Sequence, residues 1–160
     1  MLFRSKLTGS ETVIEIGPGL GVLTQRLVKQ AQRVIAVEID RDLAARLPSA
    51  VQAENLEVIP VDALTLDPAT LGISEYRLVA NLPYHITSPL LMRFLHEVTP
   101  PELAVLMMQR EVAERISAPM GSYSYLSVAV QSVASIETVR QVPPSAFRSE
   151  EHTSELQSRG

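Results

Sequence analysis

The sequence predicts an α/β domain, a doubly wound parallel sheet with flanking helices, and three observations predict it. Short β-branched runs alternate with helix-like stretches along the whole chain, the pattern that gives strand–helix–strand units. A glycine-rich turn, "GPGLG", joins the first strand to the first helix. The chain has 160 residues, 46% apolar and 4% aromatic, which suits one packed domain rather than a disordered or fibrous chain.

The elements follow in order. "TVIEI" (residues 12–16) is short and β-branched, and after the glycines Leu20, Leu23, Leu27 and Val28 fall on one helical face. "RVIAVEI" (33–39) reads as a second strand, "RDLAARL" (41–47) as a helix, and "LEVIPVDA" (56–63) as a third strand with its exit loop. "YRLVANL" (76–82) is the fourth strand. "SPLLMRFLHEV" (88–98) is a helix opening on a Ser88 cap, with Pro89 at the first helical position. "LAVLMMQ" (103–109) is almost wholly apolar, as a strand buried on both faces of a parallel sheet would be. "YLSVAVQSVA" (125–134) follows as a helix and "IETVRQV" (136–142) as a sixth strand. In such a sheet ligands gather at the carboxyl ends of the strands.

Composition excludes several chemistries. There is no cysteine and there are three scattered histidines, so a disulfide framework, a thiol nucleophile and a metal centre are not expected. No apolar run approaches the roughly 20 residues of a membrane span, and the N-terminus lacks the basic-then-apolar pattern of a signal peptide. A cytoplasmic monomer is expected. The net charge of −4 speaks against a nucleic-acid partner, because phosphate binding normally shows as a basic surface.

Both ends stand apart. The tail "RSEEHTSELQS" after Phe147 is polar, without helical or strand period, and reads as the translation of a widely used sequencing adapter. "MLFRS" reads as the same adapter on its complementary strand. Residues 1–5 and 148–160 are therefore expected to be non-native, leaving 6–147 as the domain. Removing the tail takes away two arginines and three glutamates, and the balance stays acidic.

Chemistry concentrates at two strand ends. In "EIGPGLG", Gly17, Gly19 and Gly21 lie between strand and helix, where missing side chains let a ligand approach the backbone. Glu38 ends the second strand 21 residues after Gly17, placed to accept hydrogen bonds from both ribose hydroxyls of an adenosine-containing cofactor. The glycines alone suit a dinucleotide equally well. Glu15 separates the two classes: beside a pyrophosphate its charge has the wrong sign, whereas S-adenosylmethionine has no phosphate and carries a sulfonium and an ammonium. Asp62, after the third strand, can accept from the adenine amine or simply cap its own loop.

The second strand end is "NLPY", Asn81 to Tyr84. The N6 atom of adenine is a poor nucleophile because its lone pair is delocalised into the ring. Two acceptors that grip both amine hydrogens draw the nitrogen toward tetrahedral geometry. Asn81 offers its side-chain oxygen. Pro83 holds Leu82 extended, which turns the Leu82 carbonyl outward as the second acceptor. Tyr84 supplies a face on which a base stacks, worth roughly 1–3 kcal/mol. A strand-end turn with a packed tyrosine is the plainer reading.

"VIEIGPGLGVLTQRL", "VIAVEIDRDLAARL", "VDAL", "VANLPYHITSPLLMRFL", "MMQREVAERISAPMGS", "YLSVAVQ" and "VPPSAF" together resemble the ribosomal RNA adenine N6-dimethyltransferase family, over nearly all of residues 11–147. Within it the likeness is greatest to the bacterial branch that dimethylates two adjacent adenosines of small-subunit (16S) rRNA. The resemblance implies a Rossmann-like class I S-adenosylmethionine-dependent methyltransferase sheet, truncated at both ends. It assigns Glu15, Gly17 and Gly19 to the cofactor loop, Glu38 to the ribose and Asp62 to the adenine. Asn81 becomes the target-amine acceptor, also near the methionine part of the cofactor. Leu82, Pro83 and Tyr84 complete the catalytic tetrapeptide, and Phe147 becomes an aromatic that sandwiches the flipped base. Methyl transfer would be a direct displacement on an extruded base, with small-subunit rRNA or a pre-ribosomal particle as partner and no metal or membrane.

Two departures from the family pattern stand out. Members begin with a Gly-Gln-Asn/His-Phe-Leu motif that helps close the cofactor site, and nothing before Thr8 resembles it. After the phenylalanine they continue into a last strand and a basic helical RNA-binding domain, which this sequence does not show. That last strand lies between the fifth and sixth, so residues 136–142 would become an exposed, aggregation-prone edge. The alternatives are a 23S rRNA adenine methyltransferase of the antibiotic-resistance type, more distantly a dinucleotide oxidoreductase, and an inactive fragment that binds only cofactor or RNA. His85 and His96 read as surface or packing residues and Met107 and Met108 as core. Arg110, Glu111, Glu114 and Arg115 read as a solvated charged helix face, with an RNA-facing role for Arg110 or Arg115 as the other reading.

Overall fold

The computed structural model of the chain describes residues 7–82 and 85–143. Five strands form one sheet: β1 (Thr12–Ile16), β2 (Arg33–Val37), β3 (Leu56–Ile59), β4 (Arg77–Asn81) and β5 (Leu103–Met107). Their order is β3-β2-β1-β4-β5 and every pairing is parallel. Parallel pairing requires crossovers, so α1 (Thr24–Leu27), α2 (Arg41–Val51) and α3 (Thr87–Met92) lie between strands, as the alternating pattern predicts. Two further helices, α4 (Arg110–Ile116) and α5 (Tyr125–Gln131), follow β5. The chain builds outward from β1 to β3, then returns to lay β4 on the other side of β1. The gap between the ends of β1 and β4 is therefore the topological switch point.

Strand parity divides the core. Ile14, Ile16, Ile35, Val37, Leu78 and Ala80 face one way and pack with Leu90 and Phe94 from the α3 region. Val13, Val34 and Val79 face the other way and pack with Leu27 and Ala31. A third cluster of Leu91, Ile116, Leu126 and Val130 ties α3, α4 and α5 together. Among the described residues no helix is long and apolar enough to cross a membrane, and no group of three or more His, Asp or Glu side chains could hold a metal.

Several elements depart from the sequence pattern. α1 is one turn long, and Leu20 is 77% exposed rather than on its buried face. The cause is local: Gly17, Gly19 and Gly21 all have positive φ, so the loop is still turning when Leu20 passes. α2 runs through Pro48 to Val51, because Leu47 and Val51 pack against Gly21. α3 starts at Thr87 with Ile86 as its cap residue and no side-chain cap. Pro89 still sits in the first turn, where N–H groups have no intrahelical partner to lose. A π turn, Arg93–Glu97, then ends that segment.

The fifth and sixth strands carry the main corrections. β5 is half-buried, with Ala104 exposed, rather than buried on both faces. Among the described residues no strand lies on its outer side. Residues 136–142 form no strand. A strand exists through its hydrogen-bonded neighbour, and this stretch pairs with none of the five strands.

Candidate functional site

Register places the sequence motifs together. Ile16 is paired with Val37 on β2 and with Ala80 on β4. One residue further on, Glu38, Gly17 and Asn81 thus come into a row across three adjacent strands at their carboxyl ends. The same row reaches β5, where Asn81 is paired with Met107. Gly17 donates its N–H to the Val37 carbonyl at 3.0 Å. A side chain at Gly17 would come within 3.9 Å of the Asn81 carbonyl, so the loop crosses the β4 end at close range.

Glu38 is buried and its carboxylate organises the loop. One oxygen accepts from the Gly19 N–H at 3.1 Å, the other from the Asp40 N–H at 3.1 Å. Asp40 in turn caps α2, accepting from the N–H groups of Asp42 and Leu43. Gly19 has φ +55° and open space where a Cβ would stand, whereas a Cβ on Gly21 would meet Leu47 Cδ1 at 2.7 Å. The middle glycine keeps the loop surface open. The last one lets helix α2 close against it.

Glu15 lies beneath the loop, two residues down the strand from Gly17 and therefore on the same sheet face. It is 1% exposed. Its Oε2 and the Oγ1 of buried Thr24 complete no hydrogen bond of good geometry. Burial pushes the Glu15 carboxyl up to about 7; the Thr24 hydroxyl works against the rise and the nearby Glu38 charge adds to it.

Asp62 follows β3 and accepts the Leu64 N–H on Oδ1 at 2.9 Å, so it does cap its own loop. Asn81 is exposed at the end of β4, while Leu82 is 3% exposed and inserted in the main core cluster. The Leu82 N–H donates to the Met107 carbonyl at 2.9 Å. Pro83, Tyr84 and Phe147 lie outside the described residues, as do residues 1–5 and 148–160. Two contributors escaped the sequence reading. Thr24 carries no periodic signal, and the Met107 carbonyl becomes visible only through strand register.

The remaining candidates have surface roles. Arg110 pairs with Glu114 at 2.6 Å, one helical turn away and exposed. His96 meets the Ala129 carbonyl at 3.0 Å, tying the π turn to α5. A cavity of about 520 Å³ lies at the opposite end of the sheet, lined by Thr8, Glu11, Tyr76, Arg77 and Glu102 among others. It gathers none of the motif residues and sits at the strand starts, away from the switch point.

Comparison with known proteins fits this geometry. Residues 2–155 match the family model described as ribosomal RNA adenine dimethylase. The chain is 43% identical over 145 residues to ribosomal RNA small subunit methyltransferase A of Alkaliphilus metalliredigens, covering 86% of this chain and 50% of that protein. It is 47% identical over 139 residues to the Bordetella petrii protein of the same name, covering 86% and 53%. The chain thus spans about half the length of the curated relatives it matches. Among solved structures, a dimethyladenosine transferase from Plasmodium falciparum superposes with TM-score 0.79 and 30% identity, over 92% of this chain and 54% of that one. The 23S rRNA methyltransferase ErmE superposes with TM-score 0.69 and 26% identity, over 96% and 72%. The sheet is the Rossmann-like sheet of class I methyltransferases, and the chain belongs to the ribosomal RNA adenine dimethylase family.

Proposed function

We propose that this chain carries the catalytic machinery of an enzyme that dimethylates adenosine N6 atoms in small-subunit (16S) ribosomal RNA, acting in the cytoplasm on the RNA or its precursor particle. The observation that carries this reading is the row Glu38–Gly17–Asn81 at the switch point, with the buried carboxyl of Glu15 beneath it.

The residues present fit S-adenosylmethionine. The space over Gly19 admits a ligand to the backbone, and the unpartnered Glu15 Oε2 suits a cationic molecule better than a phosphate. Bound there, the cofactor supplies a methyl group activated by its sulfonium. Glu38 would hold the ribose of the cofactor and Asp62 its adenine amine, each carboxylate having acceptor capacity beyond the backbone N–H groups it already meets. Asn81 and the Leu82 carbonyl accept the two hydrogens of the target amine. The buried Leu82 side chain and the bond from its N–H to the Met107 carbonyl anchor Leu82 at the β4 end. The family resemblance assigns Tyr84 and Phe147 to stacking on the flipped base.

The small-subunit target is favoured over 23S rRNA by the curated relatives, which are named for the small subunit, and by the better superposition on the dimethyladenosine transferase than on ErmE. The test is transfer of labelled methyl groups to small subunits that lack the modification. The expected result is label on adenosine N6 of 16S rRNA, reduced on the order of a hundredfold in Asn81→Ala, as when one transition-state hydrogen bond is removed. Label confined to 23S rRNA, or undiminished transfer by Asn81→Ala, would refute the proposal.

A further inference from the structure

The cofactor cleft contains two buried carboxyl groups in unlike surroundings. Glu38 has both oxygens met by backbone N–H groups. Glu15, on the same face of the neighbouring strand, has an oxygen that completes no hydrogen bond of good geometry, with the Thr24 hydroxyl as the one donor close to it among the described residues. A buried carboxylate so poorly met is costly, and protonation removes the cost unless a cation takes its place. We propose that Glu15 is a proton-linked counter-charge: it carries a proton in the cofactor-free protein and gives it up to solvent when the cationic cofactor binds.

This rests on the reading of the cleft as an S-adenosylmethionine site. The cofactor carries a sulfonium and an ammonium against one carboxylate, so its binding brings a net positive charge that favours the ionised form of Glu15, whereas the cofactor-free site offers it only the like charge of Glu38. The groups around Glu15 leave the titration to it. Its strand neighbours in register are Ala36 and Val79, and α1 presents the uncharged Thr24. Glu38 is the charge that acts on it, while Arg41, Asp42 and Arg46 of α2 are exposed. The elevated affinity of Glu15 for its proton agrees with the geometry. Cofactor binding should therefore tighten as pH rises toward neutrality, by about tenfold if one whole unit of the titration is displaced.

Calorimetric titration of the chain with S-adenosylmethionine, at pH 6 in two buffers of different ionisation enthalpy, counts the protons released. The expected result is roughly 0.4 to 0.9 proton per cofactor, as linkage gives for a midpoint near 7 that falls by one unit or more, and close to none in Glu15→Gln. His85→Gln, the histidine nearest in sequence to the site, should release as the parent does. Carboxyl-carbon NMR of the parent chain reads Glu15 directly, and its midpoint should fall by about one unit or more when cofactor is added. Cofactor binding with no proton release, or with release undiminished in Glu15→Gln, overturns the linkage and leaves the cofactor assignment standing. No binding at any pH overturns the cofactor assignment and the linkage with it.

Discussion

Gly19 and Gly21 share a loop and a backbone sign, φ +55° and +82°, yet differ in what a side chain would meet. An alanine at Gly19 enters open space and strains only its own backbone, at a cost of about 1 kcal/mol. An alanine at Gly21 adds a collision with Leu47 Cδ1 at 2.7 Å and Val51 Cγ2 at 3.1 Å, so the expected loss is about 2–4 kcal/mol. Denaturant unfolding should rank them in that order; equal losses would mean α2 yields freely. Glu15 makes a second prediction at this scale. Its folded titration near 7 lies above the ordinary 4.5, so the folded chain keeps a proton that the unfolded chain has lost. Stability contributed by this group is intact below pH 4.5 and falls as pH rises to about 7, by roughly 3 kcal/mol in all. Glu15→Gln should flatten that decline in unfolding experiments run across pH 5 to 8. The glycines and both glutamates were legible in the sequence because backbone freedom and charge are properties of residue type. The burial of Thr24 and the exposure of Leu20 were not, because they follow from where the loop ends.

Strands were legible where several neighbours agreed. β1 and β2 are β-branched and β4 has an apolar centre, Leu78 to Ala80; all three are flanked by turns and central in the sheet, and they stand where the pattern put them. Residues 136–142 have the same local pattern and form no strand, because hydrogen bonding to a neighbour is a property of the sheet and not of the segment. The same reasoning makes β5 vulnerable. Its outer edge is unpaired among the described residues, and such edges template association. Ala104→Lys, at an exposed β5 position, should therefore reduce concentration-dependent light scattering without lowering the unfolding midpoint. Undiminished scattering would place the association elsewhere. The β4 end is held from both sides, by the Leu82 side chain in the core and by its N–H on the Met107 carbonyl. Leu82→Ala should cost about 2–5 kcal/mol.

For the molecule as a whole, the ends of the sheet are differently built. At the strand starts Glu11 receives the N–H groups of Thr8 and Gly9 and pairs with Arg77 at 2.9 Å. Desolvation alone would raise this carboxyl, but the hydrogen bonds from Thr8 and Gly9 outweigh it and bring it down to about 2. Its contribution is present above pH 4.5 and lost as pH falls toward 2. At the strand ends Asn81 is exposed and the space over Gly19 is open, which is where a ligand can be taken up. That division follows from parallel strand order, so it was implicit in the alternating pattern; the row joining Glu38, Gly17 and Asn81 needed the register itself. The central claim is that this row is a cofactor site, and calorimetric titration with S-adenosylmethionine at pH 7.5 tests it most directly. The account predicts saturable binding at one site, abolished in Glu38→Ala and unaffected by excess NAD. Binding that survives Glu38→Ala, or that NAD displaces, would contradict it.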